Sequence, residues 1–246
     1  MLRRDADKIE FKIDQWLMKR RASMRDAASK GIVVSCFDFT GNMVRSWAED
    51  GYECHIVDMQ HPRGRSQEGN ITKWGMDVLE WEREFFKLYD ASRVVVAAFF
   101  PPCTDLAVSG ARWFADKESR VPGTRKRAMD LVYWSDRVGK RLGCPYFIEN
   151  PVSVISTEWR KPDFVFNPFH FGGYQGGAKD GYKKTTCLWT GNGFVLPERK
   201  SIDLDPRIEN KIHRMPPGPN RQNLRSQTPM GFARAIFEHY SAAPRA

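Results

Sequence analysis

The chain has 246 residues, 41% hydrophobic and 28% charged, with 39 Lys/Arg against 30 Asp/Glu, a formal net charge of +9 and a pI of about 9.4. That balance excludes long disorder and suits one large globular domain. No apolar run reaches bilayer-spanning length, and the start MLRRDADKIEF stays charged where a secretory leader turns apolar, so the expectation is a cytoplasmic protein without a membrane partner.

Residues 1–30 read as an N-terminal extension whose Ile9, Ile13, Trp16 and Leu17 fall at helical spacing between basic residues. From residue 31 the pattern becomes alternating strands and helices. Short apolar runs at 31–37, 52–58, 93–100 and 144–150 are separated by the helix-like stretches NMVRSWAEDG, LEWEREFFKLYD and RKRAMDLVYWSDRVGKRLG. In the last of these, Ala128, Leu131, Val132, Val138 and Leu142 make the apolar stripe. Strand–helix alternation predicts an α/β fold, a mostly parallel sheet with helices on both faces. Ligands in such sheets sit beyond the carboxyl ends of the strands, which puts 37–42, 58–60, 99–104 and 149–151 on one rim. After residue 160 the pattern thins to a strand-like TTCLWT, a loop-rich stretch with MPPGPN, and a final helix in TPMGFARAIFEHY with Pro229 near its start.

The five cysteines are widely spaced with no CxxC, and the five histidines form no HExxH, so no metal site is expected and reduced thiols are. The positive charge favours a polyanionic partner, nucleic acid first. At the first strand end, CFDFTGNM enters a helix through Gly41, which reads as a nucleotide-type cradle or as an ordinary turn. Asp58 closes the next strand 17 residues later, where a ribose-binding carboxylate or a solvated aspartate would sit. Asp77 followed by Val78 offers an adenine-edge contact. The strand at 93–100 ends in FFPPCTDLAVSG, in which two prolines stop the strand and stiffen the turn before Cys103. A lone cysteine there is either a small buried hydrophobe or a presented nucleophile. The strand at 144–150 ends in Glu149-Asn150-Pro151, and an acid after an apolar strand needs a partner or a task.

A thiol and a carboxyl on one rim suit methylation at C5 of cytosine. C5 is a poor nucleophile until a thiolate adds to C6, and a carboxyl meeting N3 stabilises the charge that develops in the ring. The activated carbon then takes a methyl group from a sulfonium donor, and loss of the C5 proton expels the cysteine. This requires a site that favours the thiolate, for which basic surroundings are expected to help, and a glutamate that spends part of the cycle protonated.

The series DFTGNM, VDMQ, MDVLEW, FFPPCTDLAVSG, FIENPVS, KKTTCLWTG and QTPMGFARAIFEHY resembles the cytosine-C5 DNA methyltransferase family in its compact, phage-like form, over roughly residues 31–240. The resemblance implies a Rossmann-like S-adenosylmethionine-dependent methyltransferase fold across 31–246, encoded by a bacterial host or a phage. It implies Cys103 as nucleophile and Glu149 as the acid at N3. It also implies Phe37, Asp38, Thr40, Gly41, Asp58, Asp77, Val78 and Pro101 around S-adenosylmethionine, and Pro102, Asn150, Lys184 and Thr186 on the DNA side. Arg112, Arg125, Lys126 and Arg127, with Lys117 and Arg120, form a basic loop suited to DNA phosphates.

Three departures from the family pattern bear on function. The glycine-rich first motif is reduced to Gly41, Glu-Asn-Val is Glu-Asn-Pro, and the base-holding Arg-x-Arg is Lys184-Thr185-Thr186. The family's recognition domain is reduced to about residues 192–226, too short for a second core. Short or relaxed sequence specificity is therefore expected, read by this segment, the N-terminal helix or a second protomer of a homo-oligomer. GGYQGGAKDGYKK fits no P-loop and AVSGA is not GxSxG. The alternatives are the same chemistry on RNA or a free cytosine nucleotide, a catalytically silent DNA-binding relative, and a dinucleotide oxidoreductase, which the single Gly41 serves poorly.

Overall fold

A computed structural model describes residues 29–242. The amphipathic helix expected around Ile9–Leu17 lies outside them. The strands are β1 (Ile32–Cys36), β2 (Glu53–Val57), β3 (Gly64–Glu68), β4 (Ile71–Gly75), β5 (Val94–Phe99), β6 (Tyr146–Pro151), β7 (Phe164–Phe166) and β8 (Thr186–Gly191). They form one eight-stranded sheet in the order β3-β4-β2-β1-β5-β6-β8-β7. The central strands β4, β2, β1, β5 and β6 run parallel, while β3 and β8 run antiparallel to their neighbours.

The helices are α1 (Arg45–Glu49), α2 (Val78–Leu88), α3 (Phe114–Arg120), α4 (Thr124–Leu142), α5 (Ile155–Glu158), α6 (Lys211–Arg214), α7 (Arg221–Ser226) and α8 (Met230–Ser241). The alternation along β1 divides the core into two layers. Ile32, Val34 and Cys36 pack with Trp81 and Phe85 of α2 and with Val132, Val138 and Leu142 of α4. Val33 packs on the other side with Trp47 of α1 and with Phe232, Ile236 and Phe237 of α8. Helices thus cover both faces, and the expected stripe on α4 is buried, with Leu131 at its margin. Glu82 of α2 accepts from Trp134 Nε1 at 2.8 Å and from Arg137 and Arg141, which ties α2 to α4.

The four expected apolar strands and the TTCLWT strand are present within two residues of their predicted ends. The β3–β4 hairpin and β7 were not expected. Gly139 lets α4 approach the sheet closely, since a Cβ there would lie 2.5 Å from the Tyr146 ring of β6. Among the described residues no helix is long and apolar enough to cross a membrane.

Candidate active site

Because β4, β2, β1, β5 and β6 are parallel, their carboxyl ends share a rim, with Val57, Cys36, Phe99 and Ile148 in successive register. Strand order reverses between β1 and β5, and in open sheets of this kind the ligand crevice lies at such a pair's carboxyl ends. The unforeseen β4 delivers Asp77 to the same rim. Since β8 is antiparallel to β6, with Thr186 opposite Pro151, Lys184 also arrives there from the start of its strand.

The turn after β1 is built around Asp38. Phe37 adopts a left-handed conformation, φ 59°, at a cost of about 1–2 kcal/mol for a residue with a Cβ. The turn buries Asp38, which accepts from Ser35 Oγ at 2.8 Å, Gly41 N–H at 2.8 Å and Thr40 Oγ1 at 3.2 Å. Burial raises the Asp38 carboxyl above the usual range. Gly41 has φ 68°, which favours glycine. Asp58, half-buried at the end of β2, accepts from Gln60 N–H at 2.8 Å. Exposed Phe39 and Met59 flank these turns. An acceptor carboxylate, a glycine turn and apolar side chains at a strand-order reversal form a donor set that fits an adenosine-type ligand.

Asp77 caps α2 by accepting from Leu79 N–H at 2.8 Å, and the Val78 side chain belongs to the core. The cap accounts for the carboxylate, and neither side chain needs a ligand to explain it.

Cys103 and Glu149 are brought together by two loops joined along their length. Val108 N–H donates to Val152 O at 3.0 Å and Val154 N–H to Leu106 O at 3.0 Å, with a bridge between Ala107 and Ser153. Asn150, 1% exposed, donates from Nδ2 to Pro101 O at 2.9 Å and so ties β6 to the Pro-Pro turn. Pro101 is buried and Pro102 exposed. Lys117 Nζ holds the loop from the far side through Thr104 O at 2.8 Å and Asp105 Oδ1 at 2.7 Å.

Lys184 Nζ lies 3.5 Å from Glu149 Oε1, and the two side chains are only 11% and 14% exposed. Thr186 is buried and donates its hydroxyl to Lys184 O at 2.9 Å, so it braces the lysine's backbone. Cys103 is the one of the five free cysteines that is not fully buried. Burial, then the Glu149 carboxylate, pushes its thiol above the ordinary value, while Lys184 and Arg225 pull it down. The basic neighbours act in the expected direction, toward the thiolate, but they do not set the balance. Desolvation and the neighbouring carboxylate outweigh the two cations, and the resting thiol is protonated at neutral pH.

The basic loop is largely self-paired. Arg125 meets Glu158 at 3.5 Å, Lys126 meets Asp130 at 2.9 Å, and Arg127 donates to Pro122 O at 2.9 Å. Arg112 is exposed, its guanidinium 5.0 Å from the centre of the Trp113 ring. Arg225 of α7, which sequence reasoning missed, acts on the Cys103 thiol through its charge, and the preceding sequence carries no pattern that singles it out. Among the described residues no group of three or more His, Cys, Asp or Glu gathers to hold a metal ion. No protein-family model matches this chain, and no curated protein matches it.

Proposed function

We propose that this chain is an S-adenosylmethionine-dependent cytosine-C5 methyltransferase acting on DNA, on a Rossmann-like methyltransferase fold. The observation that carries the reading is the apposition of Cys103 and Glu149 at the ends of β5 and β6, beside a crevice whose donor set fits an adenosine-type cofactor. The resemblance of the rim motifs to that family supports it.

When bound, S-adenosylmethionine supplies an electrophilic methyl group on a sulfonium. Phe37, the Asp38–Gly41 turn and Asp58 would hold it. Cys103 Sγ, once deprotonated, forms a bond to C6 of cytosine, and the electron pair displaced from the C5–C6 bond is delocalised toward N3. Glu149 meets N3 as a protonated carboxyl, and Lys184 sits against the same carboxyl. After the methyl group bonds to C5, loss of the C5 proton returns its electron pair to the ring and breaks the C6–Sγ bond.

Residues 192–229 contain only the four-residue α6 and six-residue α7 among short loops, which supports relaxed sequence specificity. The test is labelled-methyl transfer to duplex DNA, RNA and cytosine nucleotides. Transfer to DNA that vanishes in Cys103→Ser and falls by about 10²-fold or more in Glu149→Gln supports the reading. Transfer only to RNA or nucleotide would redirect it, and transfer that survives in Cys103→Ser would overturn the covalent mechanism.

A further inference from the structure

The segment around α7 spans the rim. At one end Asn223 Nδ2 donates to Gln60 Oε1 at 2.8 Å, beyond the end of β2. At the other, Lys184 Nζ donates to Gln227 O at 3.5 Å, and Asn42 Nδ2 to Thr228 O at 3.4 Å. Residues 223–228 are therefore tied at both ends to the cofactor-side turns, through Gln60 and Asn42, and at Gln227 to the lysine that contacts Glu149. Arg225 lies between these anchors and is half-buried.

Its surroundings differ from those of Lys184, Lys117 and Arg125. Lys184 is matched by Glu149, Lys117 by Asp105 and Arg125 by Glu158. Arg225 has no ion-pair partner among the described residues. It is close enough to Cys103 to act on the thiol's charge. A half-buried guanidinium two residues from the carbonyl that Lys184 contacts, with no carboxylate opposite, is arranged for an anion from outside. A guanidinium also matches two phosphate oxygens at once.

We infer that Arg225 is a substrate-binding residue that meets a backbone phosphate of the nucleotide whose base enters between Cys103 and Glu149. This inference rests on the nucleic-acid reading above. It assigns to a six-residue helix the phosphate contact that positions the target nucleotide, in a chain with little else between β8 and α8. The same cation counters the Glu149 charge at Cys103, so arrival of a phosphate and protonation of Glu149 would act on the thiol in opposite directions.

The test is fluorescence-anisotropy titration of a labelled duplex and its single strand from 50 to 200 mM salt. The proteins are the full chain, Arg225→Gln, Arg225→Lys and a control, Arg207→Gln, whose arginine is paired with Asp205. Arg225→Gln should bind about tenfold more weakly at 50 mM salt. Its log–log salt slope should shrink by about 0.9 on duplex or about 0.7 on single strand, a change that a merely structural role would not produce. Arg225→Lys should keep the slope, and the control should match the unaltered chain. Unchanged affinity and slope in Arg225→Gln, with the unaltered chain binding normally, overturns this inference alone. If the unaltered chain binds neither strand form, the nucleic-acid reading falls and this inference with it.

Discussion

Asn150→Ala removes the single side-chain tie between β6 and the Pro-Pro turn. The donor must be Nδ2, because a proline carbonyl only accepts, and the bond is 2.9 Å long at a residue 1% exposed. Truncation leaves the Pro101 carbonyl without its partner in a dry site, at a cost of about 1–3 kcal/mol. The deleted Oδ1 is itself buried and unbonded among the described residues, so its removal offsets part of that cost and places the change toward the lower end. In a chain of this size each kcal/mol shifts Tm by about 2–4 °C. Urea unfolding followed by tryptophan fluorescence should show a lower midpoint at constant slope. Alkylation of Cys103 in the folded protein should accelerate as the turn loosens. Asn150→Asp is the sharper variant, because it sets a carboxylate oxygen against the Pro101 carbonyl and should cost more than alanine. The reasoning fails if Asn150→Ala lies within about 0.5 kcal/mol of the unaltered protein, or if aspartate is the milder change.

The Cys103 thiol can be titrated by its alkylation rate, since the other four cysteines are buried. The inflection should lie above the ordinary thiol value, move down in Glu149→Gln and up in Lys184→Met. Movement of either variant in the opposite sense would refute the electrostatic account. Buried thiols raised in the folded state, Cys187 to about 11 and Cys144 to about 12, contribute stability that is complete below their unfolded value of about 8.5 and is lost as pH rises through the folded value. The loss by pH 10 is about 2 kcal/mol for each such thiol, and a urea midpoint that stays flat from pH 8 to 10 would contradict it. Gly139→Ala gains about 1 kcal/mol of helix propensity but drives a Cβ to 2.5 Å from the Tyr146 ring. Overpacking of about 1–3 kcal/mol should win, and a raised Tm would show that α4 can move away from β6 without cost.

How much of this was legible in the sequence follows from what each residue depends on. The strands β1, β2, β5 and β6 are buried on both faces, so they appear as continuous apolar runs that end in the rim residues. Cys103 and Glu149 stand at such ends, and a parallel sheet is enough to place both on one rim. The strand β3 reads Gly-Arg-Ser-Gln-Glu, and its only claim to strand structure is pairing with β4, which no local pattern announces. Asp77 illustrates a different gap, since a carboxylate before an apolar run reads equally as a ligand or a cap, and only the hydrogen bond to Leu79 N–H decides. The raised Cys103 thiol could not be read from a basic composition, because burial and one carboxylate outweigh charges spread over the surface. Arg225 was illegible for a related reason. The residues that hold its segment, Lys184 and Gln60, are distant in sequence, and the folded chain alone brings them together.

β8 lies between β6 and β7 although it follows both in sequence. The strand partner of β7 is β8, so the sheet beyond β6 is complete only with residues 186–191 in place. Without them, β6 would offer a bare edge of backbone donors and acceptors next to Phe147 and Ile148, the kind of surface on which chains pair wrongly. Lys184 directly precedes β8, so its contact with Glu149 and the pairing of the β6 edge depend on the same segment. Loosening β8 would therefore bare the β6 edge and part Lys184 from Glu149 together.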